Sequence, residues 1–163
     1  MPLTLDDIEP ELSNAETAFR HGGQDAESGL GVSDAGIVQL WKACRSLSGA
    51  DQLLADGYYT LAIEAGFTSI EKTSLFWLID DGHQDPANPP ESHTTAINRS
   101  ADVGFISPEV AARLEDLWRN NRAQTYYQNR LATRERVETT LGVITRIHSQ
   151  VLHLAGQHHE SIC

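Results

Sequence analysis

The sequence predicts an all-α protein, an antiparallel bundle of about five helices. Apolar residues make up 40% of the 163 residues, which is enough for one buried core. In several segments these residues recur at three- and four-residue spacing, the pattern of helices with one buried face. No segment shows the alternating pattern of a strand, and no Asn-Gly or Asp-Gly turn joins two such runs. We therefore expect a helical bundle.

The N-terminal segment is weakly patterned. A short helix is predicted from Pro10 to about Arg20, because proline is favoured in the first turn of a helix and a Gly-Gly pair follows. The next residues, 24–32, are rich in Gly, Ser and Asp, which is typical of a loop. The predicted organisation is an N-terminal segment (1–32), a helical domain (33–156) and a tail (157–163).

Two long helices are predicted next. Ser33 or Asp34 is a candidate N-cap for a helix that runs through several apolar residues. From Gly57 to Asp80 the sequence is apolar nearly all the way round, which is typical of a central helix buried on several sides. This helix also carries a stripe of small residues, which lets another helix approach closely, either within the fold or across a dimer. The stripe consists of Ala62, Gly66, Ser69 and Thr73.

The second half of the chain contains three further predicted helices. A proline-rich loop at 81–91 precedes a short helix from about Ser92 to Val103, which Gly104 would end. Ser107 is an N-cap with Pro108 at the first helical position. The last helix is expected from about Thr133 to Ala155. Its inward-facing residues are Val137, Leu141, Ile144, Val151 and Ala155, with a core histidine, His148, on the same seam.

The composition limits the candidate partners and location. The chain has 23 acidic and 12 basic residues, a net charge of −11, and only Lys42 and Lys72 as lysines. This composition fits an ordinary acidic protein, or a protein of a high-salt cytoplasm. Because the overall charge repels nucleic acid, RNA binding would need a local arginine cluster. No signal peptide and no apolar membrane span is recognised, so a cytoplasmic protein is expected.

The two cysteines, Cys44 and Cys163, do not suggest a disulfide-stapled fold, and Cys44 is expected to be inert on an apolar helix face. Near the C-terminus, Cys163 follows three histidines whose spacing matches no zinc finger. We expect only adventitious metal binding there, no metal site and no cofactor. The three histidines are His153, His158 and His159.

A polar, arginine-rich segment lies between the last two predicted helices, from Trp118 to Tyr127. On a straight helix Arg119, Arg122 and Tyr126 would share one stripe, which predicts a basic patch beside a phenol. The segment resembles the motif of the HEPN superfamily, in which an arginine, often followed by asparagine, precedes a histidine by a few residues. In the minimal-toxin branch a tyrosine stands two residues after that histidine. Arg119, Asn120 and Tyr126 match, but Gln124 replaces the histidine, and the resemblance extends over roughly Asp51 to Ala155.

The resemblance implies a two-fold homodimer, a nucleotidyltransferase antitoxin as partner, and metal-independent RNA cleavage. It also implies that Tyr126 is the site where the partner attaches AMP. Gln124 can donate and accept hydrogen bonds but cannot transfer a proton. The favoured interpretation is therefore a catalytically degenerate, dimeric binding or regulatory module of a toxin–antitoxin or nucleotidyltransferase-linked system.

The residues of this motif have three alternative roles. As a binding site, Arg119 and Arg122 would hold a phosphate or carboxylate, oriented by Asn120 and Gln124, with Tyr126 stacking or hydrogen-bonding. As a ribonuclease toxin, the chain would use Arg119 with Gln124 or Tyr126. As structural elements, Arg119 and Asn120 would cap helix carbonyls and pair with acids across a dimer seam.

Overall fold

The computed structural model describes residues 2–21, 34–90, 92–155 and 163, without the side chains of His21 and Tyr126. The described residues form helices and no strand, which confirms the predicted all-α class. The helices are α1 (Leu5–His21), α2 (Ala35–Ala55), α3 (Tyr59–Asp80), α4 (Thr95–Asp102), α5 (Pro108–Arg122) and α6 (Arg134–Ala155), and a π-helical turn (Ala123–Tyr127) continues α5. The chain divides into two compact units, Met1–Gly31 and Val32–Cys163.

Helix α1, in the first unit, begins at Leu5, so the prediction of a start at Pro10 is wrong. The reason is an N-terminal cap formed by Thr4 and Asp7. The Asp7 carboxylate accepts hydrogen bonds from the Thr4 backbone N–H at 2.8 Å and from the Thr4 hydroxyl at 2.7 Å. These bonds lower the pKa of Asp7, the hydroxyl bond most strongly, and hold the helix start ahead of Pro10.

Helices α2 and α3 form a hairpin at the start of the second unit. Of the two predicted cap candidates, Ser33 and Asp34, the cap is Asp34, whose Oδ1 accepts a hydrogen bond from the Ile37 N–H at 2.9 Å. Helix α2 ends where Gly57 adopts φ +83° and the Tyr58 N–H donates to the Leu53 carbonyl at 2.8 Å. Since this tight turn is only three residues long, the two helices are antiparallel neighbours.

The stripe of small residues on α3 packs inside the chain. A Cβ at Gly66 would lie 2.7 Å from Leu141 Cδ2 on α6, and the Ser69 hydroxyl donates to the Ala43 carbonyl on α2 at 2.9 Å. All four stripe residues are buried. Close approach of α2 and α6 explains the stripe, which is therefore not available as a dimer seam.

Helices α4 and α5 begin and end largely as predicted. Gly104 has φ +79°, and the Phe105 N–H donates to the Ser100 carbonyl at 2.9 Å, which closes the end of α4. Helix α4 starts at Thr95, three residues after the predicted Ser92. The Ser107 hydroxyl accepts from the Val110 N–H at 3.2 Å, with Pro108 as the first residue of α5.

Helix α6 closes the core against α3. Its buried residues include Val137, Leu141, Ile144 and Val151, as predicted, and His148 is buried on the same seam. Ala155 is half-buried. None of the helices in the described ranges has the length and apolarity needed to cross a bilayer.

Cys44 and Cys163 are joined in a disulfide, contrary to the expectation that Cys44 is inert. Their Cα atoms lie 5.4 Å apart, within the range that disulfides require, although 119 positions separate them in sequence. Cys44 packs beside a cluster of Leu40, Phe76 and Val151, which is the apolar environment that the sequence predicted. What the sequence did not reveal is that Cys163 returns to this helix.

Candidate functional site

The HEPN-like motif lies across the end of α5 and the π-helical turn. Arg119 and Asn120 are in the last turn of α5, whereas Gln124 and Tyr126 are in the π-helical turn. The Arg130 backbone N–H donates a hydrogen bond to the Gln124 backbone carbonyl at 2.9 Å. This bond connects the π-helical turn to the loop that follows it. Such π-helical turns often occur at functional sites, because the extra residue per turn redirects side chains.

A cavity of about 210 Å³ opens beside this turn, between α3, α5 and α6. The lining combines apolar side chains with amides, a hydroxyl and a guanidinium. The apolar residues are Ile63, Phe67 and Leu117, and the polar residues are Asn120, Asn121, Gln124, Arg136 and Thr140. Mixed linings of this kind, mostly apolar with a few convergent polar groups, are typical of small-molecule sites. We call this space the Arg136 cavity.

Arg136 is the charged residue among those lining the cavity. Its Nη2 donates to Gln124 Oε1. Its Nη1 is buried and has no hydrogen-bond partner within the described part of the chain, and Arg136 forms no ion pair with any residue in those ranges. A buried donor without an acceptor costs about 1–3 kcal/mol, and more for a charged group. Arg136, which lines the cavity, thus contains a buried cationic donor that lacks an acceptor in the described ranges.

Asn121 holds the cavity's wall in place. Its side chain is 4% exposed and its Nδ2 donates to Glu64 Oε1 on α3 at 2.9 Å. The Thr125 hydroxyl lies 3.5 Å from Asn121 Oδ1, which links the π-helical turn to the same amide. This chain of contacts connects α3, α5 and the turn, so it positions Gln124 relative to Arg136.

The two arginines of the motif have different contact partners. Arg119 pairs with Glu115 one turn earlier on α5, and its side chain is 64% exposed. The Arg122 guanidinium lies 5.1 Å from the Trp118 ring centroid, a cation–π distance. Arg122 also lines a second, smaller space of about 40 Å³ together with Glu64 and Glu71. Two acids make that space unsuited to an anion.

The remaining motif residues have different surroundings. Asn120 and Gln124 line the Arg136 cavity, as the binding interpretation expects of orienting groups, but the cation beside them is Arg136 and not Arg119 or Arg122. The Tyr126 side chain lies outside the described residues. The acid that Arg119 contacts, Glu115, belongs to its own helix, whereas the structural alternative expected an acid across a dimer seam.

The described residues that line the Arg136 cavity include none of the usual general acids and bases. No histidine of the described ranges lines the cavity. His148 contacts Thr73, Cys44 and Cys163 instead, and burial lowers its pKa.

Sequence reasoning missed Arg136, Asn121 and Thr140. A signal for Asn121 was present, because it follows Ala111, Leu114 and Trp118 at three- and four-residue spacing on the buried side of α5. Thr140 similarly precedes the buried Leu141 on α6. Arg136 gave no signal, since its position within the first turn of α6 is equally typical of an exposed arginine.

The histidine-rich C-terminal cluster is also reorganised. The structure brings Cys163 to Cys44 and His148, while the side chain of His153 is exposed. His158 and His159 lie outside the described residues. The residues that lie together in the structure, Cys44, His148 and Cys163, therefore differ from the histidine cluster that is adjacent in the sequence.

The described fold is all-helical, with a small cavity of mixed apolar and polar lining at the end of α5. Residues 3–163 match the profile of a family described as a domain of unknown function, DUF8154, and the chain belongs to this family. No curated protein and no solved structure shows a significant match to the chain.

Proposed function

We propose that this chain is a HEPN-like, catalytically degenerate binding or regulatory module that acts as a homodimer and takes a small anionic ligand in the Arg136 cavity. The single observation that carries the proposal is the buried, unpartnered Nη1 of Arg136. A carboxylate or phosphate oxygen is the acceptor that best matches a guanidinium. The expected ligand is therefore a small carboxylate or phosphate.

The surroundings of Arg136 support an anion of limited size. Asn120 and Thr140 contribute an amide and a hydroxyl to the lining, and Ile63 and Phe67 contribute an apolar wall. Such groups orient a ligand whose one end is charged and whose remainder is apolar. The cavity of about 210 Å³ is smaller than typical drug-sized pockets, which favours a small metabolite over an extended RNA strand.

Gln124 supports the degenerate assignment. In the HEPN resemblance this position belongs to the histidine that moves protons, and an amide does not titrate near neutral pH. The side-chain oxygen of Gln124, Oε1, already accepts a hydrogen bond from Arg136 Nη2. Gln124 therefore serves to orient the guanidinium, and the chain is proposed to bind its ligand without cleaving RNA.

The homodimer is supported by apolar surface next to the site. Val110, Leu117 and Val143 are each about two-fifths exposed and line one shallow apolar depression between α5 and α6. Leu117 also lines the Arg136 cavity. Exposed apolar patches mark interaction sites, so a second copy seated here would cover the patch beside the ligand. The nucleotidyltransferase partner rests on the HEPN resemblance.

The ligand proposal is tested by calorimetric titration of the purified protein with inorganic phosphate and with acetate. Arg136→Gln is expected to weaken anion binding at least about tenfold, since charged hydrogen bonds contribute about 1.5–3 kcal/mol. Arg146→Gln removes the same charge from an exposed position of α6 and should leave the affinity within about twofold. Equal losses in both variants, or no binding by the native chain, would contradict the proposal.

The dimer is tested by the molar mass in solution. Val143→Glu places a charge in the apolar depression and should shift the protein toward monomer. Leu61→Glu is the matched control, because Leu61 is 57% exposed elsewhere, on α3. A monomeric native protein would exclude the dimer.

The ribonuclease alternative is tested by RNA cleavage in high salt. The native protein and Arg119→Ala are expected to be inactive. Cleavage by the native protein that disappears in Arg119→Ala would establish a ribonuclease with unusual proton chemistry. RNA cleavage by Gln124→His but not by the native protein would show that the site is otherwise intact and lacks only the histidine at position 124.

A further inference from the structure

Three potential metal ligands meet away from the Arg136 cavity. Cys44 lies on α2, His148 on α6, and Cys163 follows α6 in the chain. His148 Nε2 lies 3.7 Å from Cys44 Sγ and 3.4 Å from Cys163 Sγ. A single imidazole nitrogen therefore faces both sulfur atoms.

These separations match those in a zinc site. With Zn–S of about 2.3 Å and Zn–N of about 2.0–2.1 Å, tetrahedral angles place sulfur and nitrogen about 3.5–3.6 Å apart. The two observed distances lie on either side of this value. A zinc ion that contacts Nε2 and both sulfurs can keep these two distances, but the sulfurs, which are bonded to each other here, must separate to about 3.8 Å.

His148 is held in the orientation that a metal ligand needs. Its Nδ1 lies 2.8 Å from the Thr73 hydroxyl, and its ring is 4% exposed. When Thr73 accepts from Nδ1–H, the lone pair of Nε2 points toward the sulfurs. Metal-bound histidines commonly have such a partner on the second ring nitrogen.

The disulfide and the zinc site use the same sulfur atoms, so they are alternative states. The sulfurs are joined in the structure. A dithiol reductant supplies two electrons and two protons, becomes a disulfide itself and leaves Cys44 and Cys163 as thiols. Zinc then replaces the two thiol protons, which pass to solvent, and both sulfurs bind as thiolates.

We propose that the reduced chain binds one zinc ion through Cys44 Sγ, Cys163 Sγ and His148 Nε2, with water as the fourth ligand. Two thiolates and an imidazole suit zinc, and the three protein ligands leave one position open. Cys163 is exposed, so solvent beside it can supply that water. The sequence predicted no metal site because these ligands are far apart along the chain. The proposal uses different residues from the Arg136 cavity and does not depend on the proposed function.

The experiment is a titration of the chemically reduced, full-length protein with zinc alone, competed by a chromophoric chelator. One zinc per chain is expected for the reduced protein and none for the oxidised protein. Cobalt in place of zinc should give the thiolate charge-transfer band of a sulfur-bound ion. Zinc should also raise the unfolding temperature of the reduced protein, since it binds the folded state.

Variants distinguish this site from adventitious binding. Cys163→Ser is compared with the native protein in the reduced state, in which neither chain has the disulfide, and it should weaken zinc binding at least about 100-fold and abolish the cobalt–thiolate band. Thr73→Val should weaken binding about tenfold by releasing the His148 ring. A double change, His158→Ala with His159→Ala, should leave affinity and stoichiometry unchanged. Unchanged binding in Cys163→Ser, or loss of binding in the double variant, would overturn the proposal.

Discussion

Gln124 Oε1, in the π-helical turn, accepts a hydrogen bond from Arg136 Nη2 at the start of α6, across the loop that joins the two elements. Through this bond the residue at the histidine position of the HEPN-like motif orients a guanidinium that lies 12 positions later in the chain. The other terminal nitrogen of that guanidinium, Nη1, stays buried and unpartnered within the described ranges. The pair thus links the motif to the charge that defines the cavity.

Gln124→Glu is expected to stabilise the protein and weaken anion binding. A carboxylate at this position gives Arg136 a charge-assisted bond in place of a neutral one, and should raise the free energy of unfolding by about 0.5–1.5 kcal/mol at pH 7. The same carboxylate would repel an anionic ligand. Chemical denaturation and phosphate titration measure both effects. Gln128→Glu, at an exposed position after the turn, should change neither.

Asn121→Asp is expected to destabilise the protein at neutral pH. The substitution places a second carboxylate against Glu64, whose Oε1 now accepts from the Asn121 amide, in a site that is 4% exposed. Loss of the bond and like-charge repulsion should lower the free energy of unfolding by about 2–4 kcal/mol. Asn120→Asp makes the same change at the exposed neighbour. Similar denaturation midpoints for the two variants would contradict the assigned contact.

Gly66→Val tests the close packing of α3 against α6. A Cβ at this position would lie 2.7 Å from Leu141 Cδ2 and 3.2 Å from Ile144 Cδ1, so these buried side chains must move or the helices must separate. The expected loss is about 1–3 kcal/mol of unfolding free energy. Gly142→Val, where a Cβ meets nothing within 4 Å, should be close to neutral. Thermal and denaturant unfolding of both variants provide the comparison.

His148 is expected to make stability depend on pH. Burial lowers its pKa in the folded chain, so below about pH 6.5 the unfolded state binds a proton that the folded state does not. The free energy of unfolding should therefore fall as the pH drops from about 7.5 to 5.5. His148→Gln should reduce this dependence, whereas His153→Gln, on the exposed side of α6, should retain it. The measurement is the denaturation midpoint of each oxidised protein across this pH range. The same pH dependence in both variants would contradict the assignment of this effect to His148.

Much of the helical framework was predictable because its signals are local. Asp34 and Ser107 cap α2 and α5 as expected, and Gly104 ends α4 at a positive φ. Hydrogen bonds between residues three to five positions apart produce these features, so a short stretch of sequence contains the whole cause. The start of α1 was missed because an Asp7 cap ahead of a proline competes with the proline signal.

The sequence by itself determined the all-helical class, most helix boundaries and the buried seam of α6. Only the tertiary structure decided which distant side chains meet. It placed Arg136 beside Gln124, Asn121 beside Glu64, and Cys163 beside Cys44 and His148. The physical reason is that helix formation depends on neighbours along the chain, whereas a site depends on how helix faces pack, and an arginine or a cysteine has the same local pattern whether it faces solvent or a cavity.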